Sequence, residues 1–243
     1  RASKTVLVKN PNFRAQRWDW TSDDPADQTM IGAMRGKPVP AIDRVEIFTI
    51  DEGQAMWLAF LSGQHDYLPI LPASVSNVAQ QDGKLKAEYA ARGMRMFPRL
   101  KPNVWYTMFN MTDPITGGYG KEKIALRRAI SLGFPLDEMI RVIFQGNGVP
   151  ARGITPPGVV GYDATRPRSH VYDPELARAL LDRFGYRDRD GDGYRELPDG
   201  SAMTIPYVIG TSTAARQLGE LWKKSMDAIG VRLAIDTMKT PDL

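Results

Sequence analysis

The chain contains no cysteine, which excludes disulfides and thiolate-bound metals in any compartment. It holds no apolar run near the roughly 20 residues that a membrane helix requires, so nothing in it reads as membrane-spanning. The opening Arg1-Ala2-Ser3 lacks the apolar stretch of a secretory signal. Either a signal has been removed or residues upstream of Arg1 are not included. Histidine is scarce: His65 and His170 are the only two. No Gly-x-Ser-x-Gly elbow accompanies them to support a Ser-His-Asp arrangement. An excess of one charge sign is also lacking, since 32 Lys and Arg face 28 Asp and Glu for a net charge of +4. The two signs are interspersed, and the densest basic spot, Arg127-Arg128, is one turn of a helix. That patterning predicts a solvated surface and no nucleic-acid partner.

What is present is ordinary for a globular protein: 42% hydrophobic and 25% charged residues over 243 positions, enough to bury a substantial core. Thr5–Val8 predicts a short strand ended by Asn10-Pro11, and Trp18–Pro40 a long polar surface connection. Val45, Ile47 and Thr49 alternate with Glu46, Phe48 and Ile50, predicting a strand partly covered on both faces. A helix over Glu52–Ser62 carries the stripe Met56, Trp57, Phe60 and Leu61, with Asp51 as its cap and Gly63 as its stop. Asp66–Ile70 predicts an extended segment, and Ala73–Gln81 a weaker helix. Lys84–Tyr89, Met94–Phe97 and the longer Asn103–Met111 read as strands. In the last, Trp105, Thr107, Phe109 and Met111 share one side, and Val104, Tyr106, Met108 and Asn110 the other.

Lys121–Leu132 is helical by pattern, with Ile124, Ala125, Arg128, Ala129 and Leu132 near one face; Arg128 is expected inward and Arg127 in water. A second helix opens at Pro135 with Leu136, Met139, Ile140, Ile143 and Phe144, followed by a proline-rich loop over Asn147–Tyr162. Asp173-Pro174-Glu175 combines a capping carboxylate, a proline whose missing N–H costs nothing and an acidic first turn. Leu176, Ala177, Leu180, Leu181 and Phe184 form the buried face of that helix, and Gly185 ends it. Tyr194–Leu197, the turn Pro198-Asp199-Gly200 and Ala202–Ile209 predict a hairpin. Thr211 or Ser212 caps a long helix bearing Leu218, Leu221, Trp222, Ser225 and Ile229. Gly230 stops it before a final strand with Val231, Leu233 and Ile235. Helices alternate with strands throughout, which argues for an α/β layered lobe.

Asp188-Arg189-Asp190-Gly191-Asp192-Gly193 places three carboxylates at alternate positions before glycine, like the first half of a calcium loop. The twelfth position is Asp199 where such loops use a bidentate Glu, and Pro198 and a strand stand where a helix would follow. An Asp/Gly turn feeding the hairpin is the favoured reading, with structural calcium on Asp188, Asp190 and Asp192 as the alternative. Gly117-Gly118-Tyr119-Gly120-Lys121 lacks phosphate-loop spacing and reads as a flexible turn.

Four passages together resemble the dipeptide/oligopeptide-binding family of solute-binding proteins that serve ABC importers. They are Val8–Phe13; Ala59–Leu68; the Phe109-Asn110 strand with Leu126-Arg127-Arg128-Ala129-Ile130; and Tyr172-Asp173-Pro174 through Leu180-Leu181, Gly185-Tyr186 and the Asp/Gly turn to Ile229-Gly230-Val231. The resemblance implies a type II periplasmic-binding-protein-like fold of two lobes, each a mixed sheet flanked by helices. Residues 1–243 would be one α/β lobe, the second of the two. On that reading the first lobe would be missing, as would the C-terminal segment expected after Thr240-Pro241-Asp242-Leu243. It further implies capture of peptides or similar small solutes, a membrane permease as partner, a periplasmic or extracellular site of action, no cofactor and no chemistry. By position, the strand end bearing Tyr106, Phe109, Asn110 and Thr112 would face the ligand. Asn110 as a turn cap and Tyr106 as a core aromatic is the competing assignment. The rival functions are an α/β hydrolytic domain and a calcium-stabilised interaction module.

Overall fold

The computed structural model describes residues 3–81, 83–168 and 170–238. The Thr240–Leu243 end, where the resemblance expects a further segment, lies outside the described residues. The chain divides into two compact units, residues 1–74 and 75–243.

In the first unit, β1 (Lys4–Val8) pairs antiparallel with β4 (Arg44–Phe48), Lys4 opposite Phe48 and Val8 opposite Arg44. Between them runs a short ribbon, β2 (Gln16–Arg17) with β3 (Pro38–Val39), and the helix α1 (Gln28–Met34). The polar stretch Trp18–Pro40 is therefore not all connection. Ile31 is its one buried apolar residue among those described, and it seats α1 despite the surrounding Asp, Gly and Pro. α2 (Gly53–Leu61) comes next, with Trp57 buried and stacked on Phe60 at 5.8 Å. Glu52 occupies its N-cap in place of the expected Asp51, and Gly63 closes it at φ +75°, a conformation that disfavours side chains. The expected cover over both faces of β4 is not found: Val45, Ile47 and Phe48 are all exposed. Asp66–Ile70 forms no strand.

The second unit begins within α3 (Ala73–Ala79) and continues with a two-residue ribbon of β5 (Gln80–Gln81) with β6 (Lys84–Leu85), and the single turn α4 (Ala87–Ala90). Helix α4 displaces most of the strand expected over Lys84–Tyr89. Neither Met94–Phe97 nor Asn103–Met111 forms a strand. Strand hydrogen bonds must come from a neighbour, and no described residue offers 103–111 a ladder; alternation alone does not make a sheet.

The core lies further along the chain. α5 (Lys121–Gly133), α7 (Pro174–Arg183) and α8 (Thr213–Asp227) pack with the parallel pair β7 (Thr204–Ile209) and β8 (Arg232–Thr237). Leu126, Ala129, Ala177, Leu181, Tyr186, Met226, Ile229 and Val231 have no exposed surface. Each aliphatic side chain of leucine size buried this way is worth about 2 kcal/mol over an exposed one. The Phe134 and Trp222 rings stack at 3.9 Å, and Tyr207 lies 5.3 Å from Trp222. Helices α7 and α8 begin as their sequences dictate: Asp173 Oδ1 accepts from Leu176 N at 2.8 Å, and Ser212 Oγ from Ala215 N at 3.1 Å. Between α5 and the loop after it lie α6 (Leu136–Glu138) and a π-helical turn, Met139–Ile143.

Two expectations need correction. The turn Pro198-Asp199-Gly200 forms, closed by Leu197 N donating to Ser201 O at 2.9 Å, but no hairpin grows from it. Glu196 bridges to Arg187, and β7 instead pairs in parallel with β8, Ile205 opposite Leu233 and Ile209 opposite Thr237. Burial of Ile205 and Ile209 beneath α8 favours that long-range partner over the local one. The arginine pair is also inverted. Arg127 turns inward to donate to the carbonyls of Thr116 at 2.6 Å and Gly118 at 2.9 Å, while Arg128 is exposed. Carbonyls of the preceding loop give the Arg127 guanidinium acceptors that an apolar core would deny Arg128.

Candidate functional site

The segment ending at Thr112 sits beside the core on one side and open on the other. Phe109 packs partly buried against the core cluster, and the Thr107 hydroxyl lies against the Tyr207 phenol. Burial pushes the Tyr207 phenol up, an effect Thr107 partly offsets. Trp105, Tyr106 and Met108 point outward, each more than 70% exposed at 77%, 72% and 79%. Trp105 keeps an edge contact with Phe144, ring centroids 5.6 Å apart. Asn110 Oδ1 accepts from Thr112 N at 3.0 Å and from Thr112 Oγ1 at 2.9 Å, a closed Asx turn. The next acid repeats the device: Asp113 Oδ1 takes Thr116 N at 2.7 Å, Ile115 N at 2.9 Å and Thr116 Oγ1 at 3.0 Å. Desolvation raises the Asp113 carboxyl, but these hydrogen bonds and Lys123 outweigh it and hold the group below its usual range.

Of the four residues expected to face ligand, then, Tyr106 is presented to solvent and Phe109 is anchored to the core. Asn110 and Thr112 hold each other in a turn. The turn-cap assignment of Asn110 describes its carbonyl oxygen, whereas Tyr106 is no core aromatic.

In the acidic loop, Asp188, Asp190, Asp192 and Glu196 bring one carboxylate oxygen each within 4.8 Å of one another. Glu196 is the member that the sequence pattern did not disclose; it is the ninth position counted from Asp188. These oxygens already have donors. Asp188 accepts from Gly191 N at 2.7 Å and Gly193 N at 2.9 Å, Asp190 from Asp192 N at 3.1 Å, and Asp192 from Tyr194 N at 2.8 Å. Glu196 accepts from Arg189 N at 2.8 Å, and Asp192 also pairs with Arg232. The Arg232 guanidinium lies 4.2 Å from the Tyr194 ring centroid, so a cation is built into the loop's surroundings.

The two histidines hold no catalytic company among the described residues. His65 stacks obliquely on Phe48 at 5.2 Å, and His170 Nε2 lies 2.7 Å from Phe134 O. Nor is 117–121 a phosphate cradle. A Cβ on Gly117 would sit 2.5 Å from the carbonyl oxygens of Met111 and Asp113, so the chain is folded tightly on itself there. A second feature without a sequence signal is a cluster of carboxamides, Asn77, Gln80, Gln145 and Asn147, gathered from α3, β5 and the loop after the π-helical turn. Residues nearly 70 apart meet there, which no local pattern reveals.

The described helices and sheets form part of the fold of type II periplasmic binding proteins. Among solved structures it is similar to the Bacillus subtilis oligopeptide-binding protein AppA in complex with a nonapeptide, at a TM-score of 0.65 and 16% identity over 82% of this chain and 37% of that one. A Thermotoga maritima periplasmic oligopeptide-binding protein aligns over 100% of this chain and 41% of its own, with a TM-score of 0.63 and 17% identity. Over residues 1–242 the chain matches the family described as bacterial extracellular solute-binding proteins, family 5 Middle, and it belongs to that family. The probable D,D-dipeptide-binding periplasmic protein DdpA of Escherichia coli K12 is 31% identical over 76% of this chain and 32% of its own length. The di/tripeptide-binding protein 2 of Pseudomonas aeruginosa UCBPP-PA14 is 42% identical over 45% of this chain and 19% of its own. The chain thus spans about a third or less of the length of these curated relatives. The relatives are solute-binding proteins, not enzymes, and no helix among the described residues is long and apolar enough to cross a membrane.

Proposed function

We propose that the chain is part of the second lobe of a solute-binding component of an ABC importer. It captures peptides or similar small solutes in the periplasm or outside the cell and hands them to a membrane permease. Family membership across residues 1–242 is the observation that carries this reading. Tyr106 supports it as a ligand contact: a large, exposed ring with a polar tip, next to a turn that fixes where the segment ends. Phe109 anchors the segment to the core, and Asn110 and Thr112 close the turn that ends it, so all four residues belong to the stretch offered to ligand. The lobe does no chemistry and needs no cofactor. The acidic loop satisfies its own carboxylates through backbone N–H groups and Arg232.

A titration with trialanine, followed by NMR on the 243-residue chain, tests this. Weak binding is expected, because a cleft closes from two sides. Shifts should centre on Tyr106, Asn110 and Thr112 and vanish in Tyr106→Ala. Shifts confined elsewhere would remove the segment from the ligand site. Hydrolysis of peptide or ester substrates that disappears on replacing His65 or His170 would overturn the transport reading.

A further inference from the structure

The two charge signs, interspersed along most of the chain, separate in two stretches of the second unit. Residues 89–112 and 139–162 contain no Asp or Glu, yet hold the cations Arg92, Arg95, Arg99, Lys101, Arg141 and Arg152. Outside them Asp and Glu outnumber Lys and Arg, so the net charge of +4 resides in these two stretches. The fold brings them together. Trp105 of the first meets Phe144 of the second, ring centroids 5.6 Å apart. Phe144 caps the π-helical turn Met139–Ile143, which places Arg141 within one turn of that contact. Lys101 precedes Tyr106 closely enough that the chain between them spans at most about 18 Å when fully extended.

The acids that border the two stretches are mostly committed elsewhere. Asp113 is taken up by Ile115 and Thr116. Asp163 Oδ1 accepts from Thr165 N at 2.9 Å and Thr165 Oγ1 at 2.6 Å. Asp137 pairs with Arg168 at 3.1 Å and Glu138 with Lys224 at 3.9 Å, while Glu88 lies in α4. The cations that follow the Asn110 turn are occupied too: Lys123 Nζ donates to Pro114 O at 2.7 Å and Ile115 O at 2.8 Å, and Arg127 to Thr116 O and Gly118 O. Arg95, Lys101 and Arg141 differ. Each is exposed, with no hydrogen-bond or ion-pair partner among the described residues. Cations gathered without counter-charges repel one another, and an anion settling among them relieves that repulsion. The exposed Trp105, Tyr106 and Met108 add apolar surface beside them, which strengthens the attraction by keeping water from one side. A cationic solute would meet only repulsion here.

We infer that the solute taken by this lobe is anionic, a short peptide rich in Asp or Glu, with Arg95, Lys101 and Arg141 supplying the opposite charge. The inference rests on the assignment of Tyr106 to the ligand site. The test titrates the ¹⁵N-labelled chain with triglutamate, trialanine and trilysine at low ionic strength. Triglutamate should bind about tenfold more tightly than trialanine and trilysine more weakly than either, with the gap narrowing in about 0.5 M salt. Lys101→Gln and Arg141→Gln should each lower triglutamate affinity about threefold, the scale of one exposed ion pair. Arg183→Gln, which removes the same charge from the end of α7, should not. Equal affinity for triglutamate and trialanine, both with shifts centred on Tyr106, would overturn the charge assignment and leave the ligand site standing. No shift at Tyr106 with any of the three peptides would sink both. A loss in Arg183→Gln as large as in Arg141→Gln would reduce the effect to net charge and defeat the inference. So would binding of phosphatidylserine vesicles that triglutamate does not displace.

Discussion

Residues 1–74 and 75–243 use similar sequence patterns to very different effect. Both contain alternating strands and a helix with an apolar stripe. In the second unit these faces meet, and fourteen buried residues join into one cluster. In the first, Ile31 and Trp57 are the buried apolar residues among those described, while Val6, Leu7, Val8, Val45, Ile47 and Phe48 along β1 and β4 remain exposed. Hydrophobic alternation records a face to be covered; whether it is covered depends on what lies opposite. The second unit brings its own partners, α5, α7 and α8, within its own length.

The sharpest way to break this contrast is to remove one buried ring. Trp222→Ala should cost about 3–5 kcal/mol by urea denaturation, since it strips the stack on Phe134 and leaves a cavity. Ile47→Ala on the exposed β4 should cost about 0.5 kcal/mol or less. Equal losses would show that the first unit is better packed than its exposures say. Next in size is Arg195, which donates through Nε to Ile229 O at 2.9 Å and through Nη1 to Tyr186 O at 2.7 Å and Asp182 Oδ1 at 2.5 Å. Arg195→Met keeps the stem but leaves those carbonyls without donors, an expected loss of about 2 kcal/mol.

A pH titration probes the same core more gently. Burial first, then the nearby Glu122 charge, pushes the Tyr186 phenol up to about 12, while its hydroxyl donates to Glu122 O at 3.1 Å. In the unfolded chain the phenol ionises near its ordinary value of about 10. The stabilisation is complete below that value and is lost as pH rises through the folded pKa, because the unfolded state releases its proton first. Thermal melts between about pH 10 and 12 should show the second unit weakening, and Tyr186→Phe should flatten that slope. The smallest effect is expected from EDTA. Melting temperatures with chelator and with added calcium should coincide; a rise with calcium would show that the second unit depends on a metal at Asp188, Asp190, Asp192 and Glu196.

Signals that act within a few residues were legible in the sequence. Asp173-Pro174, Ser212, Gly185 and Gly230 mark helix ends because capping and left-handed stops are local chemistry. What sequence did not reveal depends on distant partners. Asn103–Met111 has the strand pattern but no ladder. Residues 202–209 carry the pattern of a hairpin arm yet pair with a strand that lies beyond α8. Arg127 and Arg128 exchange roles because the carbonyls of 116 and 118 come back over the helix. For the candidate site, the Asn110 turn was legible, whereas alternation alone left Tyr106 open between a ligand-facing ring and a core aromatic. The carboxamide cluster was invisible, since its members come from separate stretches of chain.

Gly219 in α8 has a consequence for movement. A Cβ there would lie 2.8 Å from Ile209 Cδ1, closer than a methyl group permits, and 3.7 Å from Ile235 Cδ1, an ordinary contact, so the helix rests on side chains of both strands. That contact is near the strand ends, where Met238 N also reaches Ile209 O at 2.9 Å. A helix seated this close leaves little slack for sliding or bending between itself and the pair beneath it. Any displacement of this region should therefore carry β7, α8 and β8 together as one rigid block, with the give confined to the chain that leads into and out of it.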